Sequence, residues 1–323
     1  MDKYLQNWLD ILQGMANDNT YKLAWGRSIV EIIYMNEYVN HGDKIEIPFS
    51  LISHHMLKYY WNQTFFFNLK QSPNQKKPPR VYQIVSNLID QYKQIENTNI
   101  PIWFNRLETF FVKNSILYEK TILNISKILK IDVCWRFLKA NGIEYDIYTL
   151  DEKKETVIFN KRDAMIIKEY AIVLTQIMNY RWAQLLEQFN RSPRIVSKVQ
   201  GSMNNQIRRK NLAKYKEILL KQFKNGLIKD FYTGETIESN DISIDHVIPW
   251  SFMYSDDLWN LVITSKSNNS KKSNNIPNEE VINKLKQRNE SLLELLNDEK
   301  SKIELRNAIE LDYVTKFYYD AII

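Results

Sequence analysis

Glycine and cysteine are what this 323-residue chain has least of. Seven glycines stand where average usage of ~7% would give about 23. Neither G-x-G-x-x-G nor G-K-[ST] occurs. Phosphate-cradling glycine loops and doubly wound nucleotide folds are therefore disfavoured. Cys134 is the single cysteine. It excludes an internal disulfide and any cysteine-built zinc site, and it fits a reducing, cytoplasmic setting. Four histidines (His41, His54, His55, His246) are too few for an all-histidine centre, so any metal is expected to be hard and oxygen-liganded. Long apolar runs are also missing. None approaches the ~20 residues of a membrane span, and MDKYLQNWLDILQGM lacks the pattern of a secretory signal. No membrane partner is expected.

At ~150 residues per domain, the length suggests about two domains. With 44% hydrophobic and 13% aromatic residues, the chain can bury a sizeable core. The net charge of +6 is unevenly placed. Between Arg181 and Lys229 twelve Lys/Arg face only Glu187 and Glu217, a local +10 that leaves −4 for the remainder. A concentrated basic stretch of this kind points to an anionic partner such as nucleic acid.

Apolar spacing predicts a largely helical first hundred residues. Leu5, Trp8, Leu9 and Leu12 recur at helical spacing, as do Trp25, Ile29, Ile32 and Ile33. A third helix is expected over 48–69, carrying the aromatic cluster from Tyr59 to Phe67 as core. A fourth runs through Val81–Tyr92, and a fifth spans 103–129. Alternating Ile143, Tyr145 and Ile147, then DEKKE and Thr156–Phe159, predict a β-hairpin near 143–159. Asn160 would cap one long helix through Leu185, Pro193 would break the pattern, and a lysine-rich helix would run over 204–224. Two more helices are expected over 278–298 and 300–320. His54 and His55 read as ordinary helix residues, and Cys134 as a buried thiol.

The stretch 231–277 carries the chemistry. A turn at Thr233–Gly234 leads to a strand, Ile242–Val247, which places Asp245 and His246 on opposite faces. A loop follows to Asp256, Asp257, Trp259 and Asn260. Thr264 or Ser265 would then cap a short helix bearing Asn269, Lys271 and Lys272, giving the order strand, strand, loop, helix. These residue types suit phosphodiester hydrolysis. A neutral imidazole, His246, can take a proton from water near pH 7. Asp245 and the Asn269 amide oxygen are hard ligands for Mg²⁺ or Mn²⁺. Asn260 can fix the loop or the imidazole. Lys271 and Lys272, with Arg208, Arg209, Lys210 and Lys214 on the preceding basic helix, can neutralise DNA phosphates.

Asp245-His246-Val247-Ile248-Pro249, then Trp259-Asn260-Leu261-Val262, then Asn268-Asn269-Ser270-Lys271 resembles the HNH (ββα-metal) nuclease motif. Its spacing is similar to that of the HNH domain of CRISPR effector nucleases and of bacterial restriction and anti-phage defence proteins. The resemblance implies His246 as general base and Asp245 as metal ligand. It implies Asn260 as the central structural asparagine, and Asn269 as second ligand where the family's last histidine stands, with adjacent Asn268 able to compete for that place. Many family members carry C-x-x-C pairs that hold a structural zinc; here Phe231 and Thr233 occupy the first pair's place. Packing by flanking helices would have to substitute.

The fold expected is mainly α (α+β): a helical region over 1–200 with the small hairpin, then a nuclease domain over 201–323 with its ββα core at 228–277 and bracing C-terminal helices. The expected activity is metal-dependent DNA endonuclease cleavage with one Mg²⁺ or Mn²⁺ and no zinc. The resemblance implies 5′-phosphate and 3′-hydroxyl products and a setting in restriction or anti-phage defence. Double-strand cleavage would need a homodimer or sequential nicks, and a companion ATPase or sensor subunit is an open question. The alternatives are a catalytically idle HNH-fold module that binds DNA or assembles, and a non-specific DNA/RNA toxin nuclease.

Overall fold

The computed structural model describes residues 2–17, 19–73, 76–204, 211–223 and 226–322. They fall into two units. Residues up to Asn190 with Ile195–Asn204 make the first; Arg191–Arg194 and the residues from 211 onward make the second. The class is mainly α with small sheets. Among the described residues no helix is long and apolar enough to cross a membrane.

In the first unit the helices are α1 (Lys3–Gly14), α2 (Tyr21–Met35), α3 (Phe49–Trp61), α4 (Arg80–Ile95), α5 (Glu108–Lys113), α6 (Ser115–Ile128), α7 (Lys161–Glu169), α8 (Ala171–Phe189) and α9 (Ile195–Asn204). Helical spacing put Trp8 and Trp25 on inward faces and Trp61 in the core cluster; all three are fully buried, as is Trp182. Tyr59, Tyr60 and the phenylalanines 65–67 are core as well. Cys134 is buried, and burial pushes its thiol up to about 11, so it is not poised to react.

Several sequence expectations need correction. Two strands, β1 (Val39–His41) and β2 (Lys44–Pro48), interrupt the helical first hundred residues. Ile45 and Ile47 are the buried side of β2. Ile143 belongs to a minor hairpin, β3 (Lys139–Ala140) with β4 (Ile143–Glu144). The hairpin read at 143–159 starts later, as β5 (Thr149–Asp151) and β6 (Thr156–Asn160), and it joins the first pair in one antiparallel sheet of order β1-β2-β6-β5. The helix after Asn160 breaks at Tyr170 into α7 and α8. Asn160 is at the N-cap position but makes no capping hydrogen bond; its amide donates to Asp163 instead.

The second unit holds α10 (Ala213–Leu220), β7 (Ile242–His246), α11 (Trp250–Met253), β8 (Leu261–Ser265), α12 (Lys266–Lys272), α13 (Glu279–Leu295), α14 (Glu299–Glu310) and α15 (Tyr313–Ile322). The basic helix read over 204–224 is thus confined to 213–220 among the described residues, with 195–204 forming α9 of the first unit. The motif order is also corrected. The two strands of the ββα are β7 and β8, with the loop between them. They pair antiparallel with Asp245 opposite Val262 and His246 opposite Leu261. The Thr233–Gly234 segment contributes only a bridge between Lys229 and Thr236.

The C-terminal helices brace the motif. Leu285 and Leu292 of α13 and Leu305 of α14 are fully buried with Leu258, Leu261 and Val262. Trp259 stacks on Phe317 of α15 at 5.7 Å between ring centroids. Glu304 of α14 accepts from the Leu258 N–H at 2.8 Å, and Asn289 of α13 donates to the Trp259 carbonyl at 3.0 Å. Leu285→Ala should therefore destabilise the second unit by about 2–5 kcal/mol. Urea denaturation followed by hydrogen exchange of the 242–272 segment measures it.

Candidate active site

Asp245 and His246 are consecutive on β7, so their side chains leave on opposite faces. Asp245 is buried and takes two partners on Oδ2: the Tyr232 hydroxyl donates at 2.5 Å, and the Lys272 ammonium stands at 3.2 Å. Burial and the adjacent Asp245 carboxylate hold the Tyr232 hydroxyl protonated, far above its ordinary range. Burial lowers the pKa of Lys272, and Asp245 opposes that shift. Lys272 also donates to the His246 carbonyl at 2.7 Å, and its side chain is only 11% exposed. It is engaged with the motif itself, whereas Lys271 and Lys214 are exposed. Arg208, Arg209 and Lys210 lie outside the described residues.

On the other face, His246 Nε2 meets Asp256 Oδ1 at 3.0 Å. An ionised carboxylate only accepts, so Nε2 carries the donated hydrogen and Nδ1 is the lone-pair nitrogen of the neutral ring. Asp256 is ten residues away on the β7–β8 loop. That loop is closed by Asn260, whose Oδ1 accepts from the Ile248 N–H and whose Nδ2 donates to the Ile248 carbonyl, both at 2.8 Å. Asn260 is 1% exposed, and both of these side-chain hydrogen bonds go to backbone. It shapes the loop that carries Asp256.

Ser265 caps α12, accepting from the Asn268 N–H at 3.1 Å. Thr264, the alternative cap, is used elsewhere: its hydroxyl donates to Asp230. The two asparagines part company here. Asn268 Nδ2 donates to Asp230 Oδ2 at 2.8 Å. Asn269 Nδ2 donates to Ser243 Oγ at 2.7 Å. Ser243 lies two residues before Asp245 and shares its face of β7. Asn269 is therefore on the Asp245 side, and Lys272, one turn further on α12, reaches Asp245 itself.

Hard oxygen donors fit a divalent cation at this position. Neither Asp245 Oδ1 nor Asn269 Oδ1 is used in the contacts above, so each is the free acceptor of its side chain. Among the described residues no group of three or more His, Cys, Asp and Glu side chains gathers as a metal site. Water would have to complete any shell here.

Asp230 and Tyr232 escaped the sequence reading, and Asp256 was named there only as part of the loop, without a role. Asp230 is 3% exposed, and its carboxylate accepts from five groups: the Tyr232 and Thr233 N–H on Oδ1, and Thr264 Oγ1, the Ser265 N–H and Asn268 Nδ2 on Oδ2. Burial alone would raise its pKa, but these bonds lower it to about 2. It ties the Thr233–Gly234 turn to β8 and α12. The only sequence signal was an acidic residue immediately before Phe231-Tyr232-Thr233-Gly234.

Residues 230–278 match the family model described as HNH endonuclease, and the second unit carries an HNH nuclease domain. Residues 5–203 match the model described as Domain of unknown function (DUF8808), which spans more than half of the chain. The protein belongs to the DUF8808 family. Local similarity extends to CRISPR-associated endonuclease Cas9 of Listeria innocua serovar 6a, 38% identical over 61 residues, 18% of this chain and 5% of that protein. It extends also to CRISPR-associated endonuclease Cas9 of Streptococcus mutans serotype c, 36% identical over 72 residues, 21% of this chain and 5% of that protein. The chain thus covers about a twentieth of the length of these relatives. No solved structure matches it.

Proposed function

We propose that the chain is a metal-dependent endonuclease that hydrolyses DNA phosphodiester bonds. The observation that carries this reading is the division of β7: Asp245 and Asn269 on one side, and His246 held by Asp256 on the other. In this reading His246 Nδ1 takes the proton from the attacking water, and the Asp256 carboxylate steadies the imidazolium that forms. Asp245 and Asn269 hold one Mg²⁺ or Mn²⁺, which when bound supplies positive charge to the phosphate and the leaving 3′ oxygen. Lys271 and Lys214 meet flanking phosphates. One such site cuts one strand, so double-strand breaks require a second copy or a second nick. Local similarity to CRISPR-associated endonucleases supports a role in restriction or anti-phage defence, with the first unit as the part that senses a trigger or partner.

The Lys272–Asp245 ion pair favours a second reading, an idle HNH module that binds DNA without cutting. A cation would have to share Asp245 with that ammonium. Cleavage of plasmid DNA by the wild-type chain in Mg²⁺ or Mn²⁺ supports the first reading; binding without any cutting in either metal supports the second.

Asp256 is the positioning residue in this scheme. Asp256→Asn should slow cleavage about 10–100-fold, the usual cost of losing a partner that orients a functional histidine. DNA affinity should stay within about twofold, because Asp256 Oδ1 is engaged by the His246 imidazole. Single-turnover cleavage and gel-shift titration of the same variant separate the two quantities.

A further inference from the structure

The two oxygens of the Asp245 carboxylate are not equivalent. Among the described residues it receives two donors, and both are on Oδ2: the Tyr232 hydroxyl at 2.5 Å and the Lys272 ammonium at 3.2 Å. A carboxylate oxygen has about two lone-pair directions, so Oδ2 is filled. Oδ1 makes no hydrogen bond, yet it is not one of the sealed polar atoms that lack a partner. It therefore reaches open space, although Asp245 as a whole is only 7% exposed. One oxygen is closed and the other open.

The two donors differ in how firmly they are held. Tyr232 is fixed through its backbone and its ring. Its N–H donates to the buried Asp230 at 2.8 Å, and the next N–H, of Thr233, donates to the same oxygen at 3.2 Å. Gly234, at φ +76°, turns the chain, and its N–H donates to the Asp230 carbonyl at 2.9 Å. The preceding Phe231 N–H donates to the Ile263 carbonyl of β8 at 3.0 Å, and the Phe231 and Tyr232 rings meet edge to face at 5.2 Å. The phenol is thus a short, rigid arm from the turn to β7. Lys272 reaches the same oxygen on a flexible four-carbon stem and divides its ammonium with the His246 carbonyl. A cation on Oδ1 would repel that ammonium and leave the neutral hydroxyl in place.

The closed oxygen bears on which ion fits. Ca²⁺ takes about six to eight oxygens and often both oxygens of one carboxylate; Mg²⁺ is octahedral and keeps several of its waters. With Oδ2 closed, Asp245 and Asn269 offer one oxygen each. Such a sparse pair suits an ion that keeps its water.

We propose that Tyr232 is a positioning residue that restricts Asp245 to one metal-binding oxygen and so sets a preference for Mg²⁺ or Mn²⁺ over Ca²⁺. The inference rests on Asp245 and Asn269 being the ligands of the ion. The test is calorimetric titration of the full chain, without DNA, with Mn²⁺ and with Ca²⁺, for wild type and Tyr232→Phe. Asp245→Ala, which should lose the Mn²⁺ isotherm, assigns that isotherm to this site. Wild type should bind Mn²⁺ about tenfold or more tightly than Ca²⁺. Phenylalanine keeps the ring and removes the hydroxyl. Mn²⁺ affinity should then fall about tenfold, the usual cost of losing a partner that orients a ligand. Ca²⁺ affinity should hold or rise, so the ratio narrows by about tenfold. A merely structural role would weaken both ions together. An unchanged ratio in Tyr232→Phe would overturn the proposal and leave the ligand assignment standing. If that variant fails to fold, the wild-type ratio carries the test, and equal affinity for the two ions would overturn the proposal. A wild type that binds neither ion would overturn the ligand assignment and this proposal with it.

Discussion

His246→Ala should slow DNA cleavage by about 10²–10⁴-fold, the range that a positioned general base contributes. The loss should fall on the chemical step. His246 is 12% exposed at its side chain, points away from the Asp245 face, and its imidazole is committed to Asp256. Its backbone carbonyl, not its ring, receives Lys272. Alanine leaves the β7–β8 pairing, the Asn260 clamp and the Asp245–Asn269 side untouched. DNA binding should therefore persist, which distinguishes lost catalysis from lost folding. A variant that cuts at the wild-type rate under single-turnover conditions would remove His246 from the mechanism.

Asp230→Ala should destabilise the nuclease unit by about 3–5 kcal/mol. Five donors lose their acceptor at once, and an unsatisfied buried donor costs about 1–3 kcal/mol. Relaxation and water entry keep the total below the simple sum. Asp230→Asn should be destabilising too, because Oδ2 accepts three hydrogen bonds that an amide NH₂ cannot replace. The sign with pH follows from the lowered pKa. The native carboxyl titrates at about 2, below the ~3.9 of an unfolded aspartate. Its stabilisation is complete above the unfolded value and fades as pH falls toward about 2. Hydrogen exchange of the 228–272 segment, wild type against variant at pH 7 and pH 3, should show a large difference at neutral pH that narrows in acid. Equal protection at pH 7 would refute the role given to Asp230.

Much of the helical architecture was legible because apolar residues repeat at helical spacing. The failures have physical causes. β8 reads Leu261-Val262-Ile263-Thr264, all buried, and a strand covered on both faces shows no alternation to set it apart from a loop beside a core. β1 is short and exposed throughout, and β2 pairs with β6, more than a hundred residues away, so neither stood out in the local sequence. The break at Tyr170 leaves the apolar spacing intact, so periodicity carried straight through it. At the candidate site, Asp245, His246, Asn260 and Asn269 stood out because they belong to one contiguous pattern. Asp256 and Asp230 become visible only when the loop brings a carboxylate to the imidazole and the turn brings another to α12.

The basic stretch is also redistributed by folding. Lys198 is fully buried in the first unit, where its ammonium lies 5.8 Å from the Phe67 ring centroid. Arg194 pairs with Asp257 at 3.6 Å. The sum of +10 therefore overstates the charge offered to DNA, and exposed Lys214 and Lys271 are the described candidates that retain that role.

Incubation of supercoiled plasmid with the wild-type chain, in Mg²⁺, in Mn²⁺ and in EDTA, tests the nuclease assignment most directly. Nicked circles bearing 5′-phosphate and 3′-hydroxyl ends should accumulate with either metal and be absent in EDTA. Equal cutting in EDTA would rule out the metal role of Asp245 and Asn269, and intact plasmid in both metals would rule out catalysis at this site.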